Sequence, residues 1–403
     1  MIPRACEPYL RNIASQFPVV LITGPRQSGK TTLARHVFSD YGYVNLENLD
    51  TADRAREDPR GFLAQYHAKV IFDEIQRVPS LLSYLQQIVD EHPLPASFIL
   101  TGSQQFNLMH AATQSLAGRI GRLELLPFSA AELREHSPSL LESTTASLRR
   151  GWYPPIIDRN LDADLWYENY IATYLERDVR QIENIRDLLA FRRFLSLCAG
   201  RTAQLVNLSE LAGECGVSHN TIKAWLSVLE ASYLIKLVQP YHRNFSKRVV
   251  KTPKLYFLDT GLAARLLGIR TDDQLEHHPL RGALFETCVF GELFKAKTNG
   301  LAPWDIYFWR DHGGIEVDFI LESGRTCIAV EAKSSATFHP DFTISLSKFS
   351  TFAGSDLTHA VLVYGGSEAF TFKGVSVVPW NRMEFQGPFI LSCSQTGRRS
   401  GGS

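Results

Sequence analysis

Apolar residues in the first third of the chain cluster in short continuous runs, each closed by polar or glycine positions. Phe17-Pro-Val-Val-Leu-Ile-Thr23, Lys69-Val-Ile-Phe-Asp73 and Ser97-Phe-Ile-Leu-Thr101 are such runs, the pattern of strands buried on both faces of a parallel sheet. Tyr43-Val-Asn-Leu-Glu47 reads as a further strand, with no role assigned to Glu47. Thr32–Phe38 has helical spacing, and so does the stretch from Ala163 to about Ile185. From Asn207 to Ala231 the pattern is a short helix, a turn at Gly216-Val217, an N-cap at Ser218 and a second helix, which together make a helix-turn-helix. A hairpin-like segment follows, from Tyr241 to Leu258. The last third opens with an amphipathic helix from Gly282. It continues with strands at Trp304–Trp309, Gly313–Leu321 and from Cys327, then alternates strands such as Ala360–Tyr364 with turns.

Length makes this a multidomain chain, since 403 residues exceed one ordinary core. Residues 136–160, rich in Ser, Pro and Arg and ending in Gly151-Trp-Tyr-Pro-Pro155, read as a domain boundary. A hydrophobic share of 44% and a charged share of 21% exclude a largely disordered or fibrous chain. Lys plus Arg equals Asp plus Glu at 42 each, which excludes a polybasic coat protein while allowing a local basic patch. No apolar run reaches the length of a membrane span, and no signal peptide is expected at the start. Six scattered cysteines without a CxxC pair fit free thiols in a reducing cytoplasm, so a cytoplasmic protein is expected.

The first strand runs into Gly24-Pro-Arg-Gln-Ser-Gly29-Lys30-Thr31 and then into a helix. This is GxxxxGK[ST] in the strand–loop–helix setting that gives the motif mechanical meaning. Gly24, Pro25, Arg26, Gln27, Ser28, Gly29, Lys30, Thr31 and Thr32 form the candidate ATP cradle. Free N–H groups at the helix start face the phosphates, Lys30 reaches the β- and γ-phosphates, and the Thr31 hydroxyl ligates Mg²⁺. Asp73, ending its strand, suits the Mg²⁺ shell, and Glu74 suits activation of the attacking water. Thr101 or Ser103, at the end of the Ser97 strand, is expected to sense the γ-phosphate. Two arginines, Arg119 and Arg122, follow in Leu116-Ala-Gly-Arg-Ile-Gly-Arg-Leu. Arg119 is the candidate arginine finger for a neighbouring subunit, so a homo-oligomer is expected.

The P-loop, the Asp73-Glu74 pair with Gln76 and Pro79, the Leu-Thr-Gly-Ser-Gln strand end and the Leu-Ala-Gly-Arg119 segment resemble prokaryotic AAA+-type ATPases that carry a C-terminal domain of unknown function. The resemblance spans roughly residues 1–390 and implies ATP binding and hydrolysis without fixing a cellular role.

Beyond the ATPase motifs, His242–Lys254 holds Arg243, Lys247, Arg248, Lys251 and Lys254 and no acid. With the helix-turn-helix this reads as a winged helix with a basic wing. Thr221 and Lys223 on the second helix, and Arg243, Lys247, Arg248 and Lys251 on the wing, are the candidate DNA contacts. In the last third, Glu286 on a helix, Asp318 on a strand and Glu331-Ala-Lys333 on the next strand resemble the PD-(D/E)xK nuclease core, although Val317 stands where the pattern has Pro. Asp318 and Glu331 would hold Mg²⁺, Glu286 would add to the shell, and Lys333 would position or activate water.

The expected fold is α/β: a P-loop ATPase over 1–135, with a parallel sheet and an extra strand between the Walker motifs. A linker and helical lid (136–200), an α-rich winged helix (201–275), an α/β nuclease-like domain (276–392) and a flexible tail (393–403) follow. The function expected first is an Mg-dependent ATPase assembling on and processing DNA, with branched DNA a plausible target. The alternatives are a nucleotide-gated signalling switch binding protein partners and an ATP-gated nuclease.

Overall fold

A computed structural model describes residues 1–66, 68–103, 116–173, 187–241, 252–311, 313–386 and 389–392. The chain divides into two compact units, one built from Pro3–Pro127 with Ala231–Tyr233, the other from Phe128–Glu230 and Leu234 onward.

The first unit is a five-stranded parallel sheet of β1 (Val19–Thr23), β2 (Gly42–Asn45), β3 (Val70–Asp73), β4 (Phe98–Gly102) and β5 (Ile120–Glu124), in the order β2-β3-β4-β1-β5. Strand β4 therefore lies between β1 and β3, as the extra strand expected from the sequence. Its helices are α1 (Glu7–Ala14), α2 (Lys30–Val37), α3 (Leu49–Glu57), α4 (Pro59–Leu63) and α5 (Leu81–Glu91). Alternate strand residues serve opposite layers. Val19, Leu21, Phe72, Phe98 and Leu100 pack with α3, α4 and α5. Val20, Ile22, Ile71, Ile99 and Leu123 pack with α1 and α2. Every residue of β1, β3 and β4 is buried, which is why these strands read as unbroken apolar runs rather than alternating ones. Glu47 lies past the end of β2 and pairs loosely with Arg77 at 3.8 Å.

In the second unit, α6 (Ala130–His136), α7 (Thr144–Arg150), α8 (Pro154–Asp158) and α9 (Ala163–Tyr170) precede α10 (Leu188–Gly200), α11 (Leu208–Cys215) and α12 (His219–Ala231). Strands β6 (Gln204–Leu205), β7 (Ile235–Val238) and β8 (Lys254–Phe257) form a small sheet ordered β6-β8-β7. Ser218 caps α12 by accepting from the Thr221 N–H at 3.1 Å. Buried Leu211, Ala212, Ile222 and Leu226 line the inner faces of α11 and α12.

Helices α13 (Thr260–Leu266), α14 (Asp272–Glu276) and α15 (Arg281–Thr298) lead to β9 (Asp305–Arg310), β10 (Glu316–Ser323), β11 (Thr326–Lys333), α16 (Ile344–Ala353), β12 (Leu357–Tyr364), β13 (Phe370–Phe372) and β14 (Val375–Pro379). A hairpin of β15 (Met383–Gln386) and β16 (Phe389–Ser392) follows. The six-stranded sheet runs β13-β14-β12-β11-β10-β9, and α15 packs against β8 and β11. A register shift between Val317 and Ile320 turns both toward the α16 layer, three positions apart. A regular strand alternates faces every residue, so this bulge breaks the simple reading of β10. The expected tail, 393–403, lies outside the described residues.

Candidate functional site

Parallel strands put like ends on one edge, so the loop after β1, the end of β3 and the end of β4 converge. The loop Gly24–Gly29 joins Thr23 to α2. Gly24 has φ +148° and lies so near the end of β5 that a Cβ would stand 2.1 Å from the Leu125 carbonyl oxygen and 3.2 Å from Ser28 Oγ. Gly29 has φ 95° and Gln27 φ 62°, which wind the loop back before the helix starts. The Ser28 hydroxyl is buried with no partner among the described residues. Arg4 ties the loop down from α1's approach, donating to Ser28 O at 3.0 Å and Leu126 O at 2.6 Å.

Lys30 is 5% exposed and spends its donors on the Gly24 and Pro25 carbonyls at 3.1 and 2.8 Å. Burial lowers its pKa to about 8, and the charges of Glu74 and Asp73 only partly offset this. Thr31 Oγ1 donates to both Asp73 carboxylate oxygens at 3.0 Å. Asp73 also accepts from the Tyr43 hydroxyl at 2.7 Å and from the Thr101 hydroxyl. Glu74 sits in the left-handed region (φ 57°, ψ 45°), rare for a non-glycine residue. Its Oε2 accepts from Gln76 Nε2 and from Ser103 Oγ at 3.4 Å, while its backbone N–H donates to Thr101 Oγ1 at 3.3 Å. The two hydroxyls proposed for one role thus hold different groups: Thr101 donates to the Asp73 carboxylate and accepts from the Glu74 N–H, whereas Ser103 donates to the Glu74 carboxylate.

An unsatisfied hydroxyl, a glycine-only approach and an ammonium desolvated enough to lose basicity all lie in one loop. They fit a polyphosphate, which would supply acceptors for Ser28, Lys30 and the helix N–H groups together. Arg26 and Pro25 complete the loop, and Thr32 is exposed beyond it.

Four functional candidates escaped sequence reasoning. Tyr43 and Arg4 carry no motif. Gln76 was noted only for its resemblance. Tyr233 donates to Thr23 Oγ1 at 2.6 Å from a positive-φ backbone (57°), beneath the phosphate loop within the first unit. Spacing gives no signal for a contact 210 positions apart.

Arg119 stands at the other end of the sheet. It precedes Ile120, which pairs with Val19 at the start of β1, whereas the phosphate loop follows the end of β1. That separation is roughly 15 Å along a strand. Its guanidinium grips Asp90, with Nη2 at 2.9 Å from Oδ2. Of the DNA candidates, Lys223 is exposed on α12 and Thr221 is half-buried, bonding Ser218 at 2.8 Å. Arg243, Lys247, Arg248 and Lys251 lie outside the described residues.

The four residues expected from the sequence to form a nuclease-like centre lie in the second unit. Asp318 Oδ2 accepts from the Ala332 N–H at 2.8 Å, and Lys333 donates to Glu331 Oε1 at 2.6 Å. Glu286 accepts from the Tyr256 hydroxyl at 2.6 Å and from Lys254 at 3.0 Å. Burial first, then the charge of Asp318, raises the Glu286 and Glu331 carboxyls above their usual range. Lys254, the last cation of the basic run read as a wing, is 2% exposed.

Three family models match the chain: an AAA domain over 16–134, a domain of unknown function (DUF8612) over 141–273, and another (DUF4143) over 281–383. The uncharacterized proteins Rv2008c of Mycobacterium tuberculosis and Mb2031c of Mycobacterium bovis are each 34% identical over 370 residues, covering 91% of this chain and 81% of theirs. The chain belongs to their family. It is an AAA-type P-loop protein with a C-terminal domain of unknown function. Among solved structures it is similar to the Walker-type ATPase PABY2304 of Pyrococcus abyssi, at 16% identity and a TM-score of 0.45 over 66% of this chain and 96% of that one. AMPPCP-bound DnaA from Aquifex aeolicus aligns at 13% identity and a TM-score of 0.28, over 56% and 85% of the two chains. Among the described residues, no helix of this family member is long and apolar enough to cross a membrane.

Proposed function

We propose that this chain is an Mg-dependent ATPase whose second unit binds DNA through a winged helix. The carrying observation is the convergence of Lys30, Thr31, Asp73, Glu74 and Thr101 on one edge of the parallel sheet. Thr31 and Asp73 would hold Mg²⁺, which would neutralise charge on the ATP phosphates. Lys30 would exchange its two loop carbonyls for phosphate oxygens. Glu74 would take a proton from the water attacking the γ-phosphorus, as the bond to the leaving ADP oxygen breaks. Gln76 and Ser103 orient that carboxylate, and Thr101 couples it to Asp73 by touching both.

Support for DNA binding comes from the α10–α12 helices with their three-stranded sheet, the Ser218 cap and the exposed Lys223. Arg119, remote from its own phosphate loop, is suited to serve a neighbour's, which implies a homo-oligomer.

The test is steady-state ATP hydrolysis with Mg²⁺, alone and with single-stranded, duplex, forked and four-way-junction DNA. Turnover stimulated by one DNA form and abolished by Lys30→Ala is the expected result. Unchanged turnover in Lys30→Ala would refute the site. Turnover indifferent to every DNA would transfer the second unit's role to protein partners.

A further inference from the structure

The carboxylates that resemble a nuclease centre do not stand open. Lys254 leaves β8 and enters them, bonding Glu286 Oε1 at 3.0 Å and Glu316 Oε1, with Asp318 close enough to act on its charge. Burial alone would lower the basicity of this ammonium, but Glu286, Asp318 and Glu316 outweigh it and hold Lys254 firmly protonated. The strand's two-residue period brings Tyr256 to the same side, where its hydroxyl reaches the same Glu286 oxygen. The remaining donors are also local: the Ala332 N–H on Asp318, Lys333 on Glu331, and Arg310 on Glu316 at 3.4 Å.

A divalent cation does not fit this arrangement. It would need several oxygens free on one side. Among the described residues, no three His, Cys, Asp or Glu side chains are grouped so as to hold a metal ion. Four carboxylates (Glu286, Glu316, Asp318, Glu331) already face three cations (Lys254, Lys333, Arg310). A doubly charged ion entering beside a buried ammonium would meet repulsion that little water screens. Of the four carboxylates, Glu331 keeps one oxygen, Oε2, that is buried without a partner among the described residues.

We propose that Lys254 is the built-in cation of this cluster, standing where a nuclease would carry its metal, so that the C-terminal domain of the intact chain takes no divalent ion there. The lysine belongs to the segment matched over 141–273 and the carboxylates to the one matched over 281–383. The ion pair therefore locks two family domains together, and the nuclease-like frame serves as a non-cleaving scaffold. This inference does not depend on the nucleotide site.

The experiment is Mn²⁺ binding to the nucleotide-free full chain, followed by electron paramagnetic resonance, with thermal melting in parallel. Wild type and Asp318→Asn should bind Mn²⁺ alike. Lys254→Met, similar in volume but uncharged, should gain one Mn²⁺ site, melt lower, and recover part of that loss when Mn²⁺ is added. Adding Asp318→Asn to Lys254→Met should remove the gained site. Mn²⁺ binding by wild type that Asp318→Asn abolishes would overturn the proposal, as would a folded Lys254→Met that gains none. Should Lys254→Met fail to fold, the comparison of wild type with Asp318→Asn decides alone.

Discussion

Lys30 and Glu74 carry opposite burdens in the nucleotide site, and each yields a test. Burial holds Lys30 at a pKa of about 8, below the ordinary lysine value. Phosphate charge would raise it again, because an anion stabilises the ammonium. At pH ~8.5 most free chains have lost that proton, so ATP binding should take up ~0.5–1 proton, falling toward zero at pH ~7 where Lys30 is already charged. Calorimetry in buffers of differing ionisation enthalpy measures this, and proton release at pH ~8.5 would contradict the direction. For Glu74→Gln, nucleotide binding should persist while turnover drops ~100-fold or more, since the amide cannot accept the water's proton. Equilibrium binding of a fluorescent ATP analogue, alongside phosphate release, separates the two effects.

Elements impose their own conditions on these side chains. The phosphate loop works only because Gly24 admits Leu125 O into the space a Cβ would fill, at a φ of +148°. Gly24→Ala combines that clash with an unfavourable backbone, so the first unit should lose ~2–4 kcal/mol by denaturant unfolding and lose nucleotide affinity with it. A variant as stable as wild type would mean that the loop has another accessible path. On α12 the requirement is lighter. Ser218 satisfies one N–H at the helix start, and Ser218→Ala should cost ~1 kcal/mol while leaving ATP turnover without DNA unchanged.

At the scale of the whole molecule, the question is which copies complete one another. Arg119 cannot reach its own phosphate loop along the length of β1, and Asp90 holds its guanidinium in the isolated chain. If neighbours exchange this arginine, Arg119→Ala should lower turnover ~10- to 1000-fold. Mixing Arg119→Ala with Lys30→Ala should then restore part of it, because each supplies what the other lacks. No recovery on mixing, with subunit exchange verified, would confine Arg119 to pinning α5 beside β5. Charge reversal at Lys223, Lys247, Arg248 and Lys251 should abolish DNA stimulation and spare basal turnover, as read in the same hydrolysis assay.

Residues adjacent in the chain determined much of this without a structure. The Gly24–Thr31 loop, the Asp73-Glu74 pair and the apolar runs of β1, β3 and β4 are legible because their chemistry depends on neighbours a few positions away. A phosphate loop must be contiguous to wrap a phosphate, and a strand buried on both faces must be apolar throughout. Contacts between distant residues had to wait for the fold. Tyr43 on Asp73, Tyr233 on Thr23, and Thr101 and Ser103 on the Asp73 and Glu74 carboxylates respectively arise from tertiary packing, which no local pattern encodes. Lys254 is the clearest case. Within a run of basic residues it reads as a solvated surface charge, yet Glu286, 32 positions on, and Glu316 meet it in the interior. A lysine's role is set by the dielectric and the charges around its ammonium, and only tertiary packing decides those.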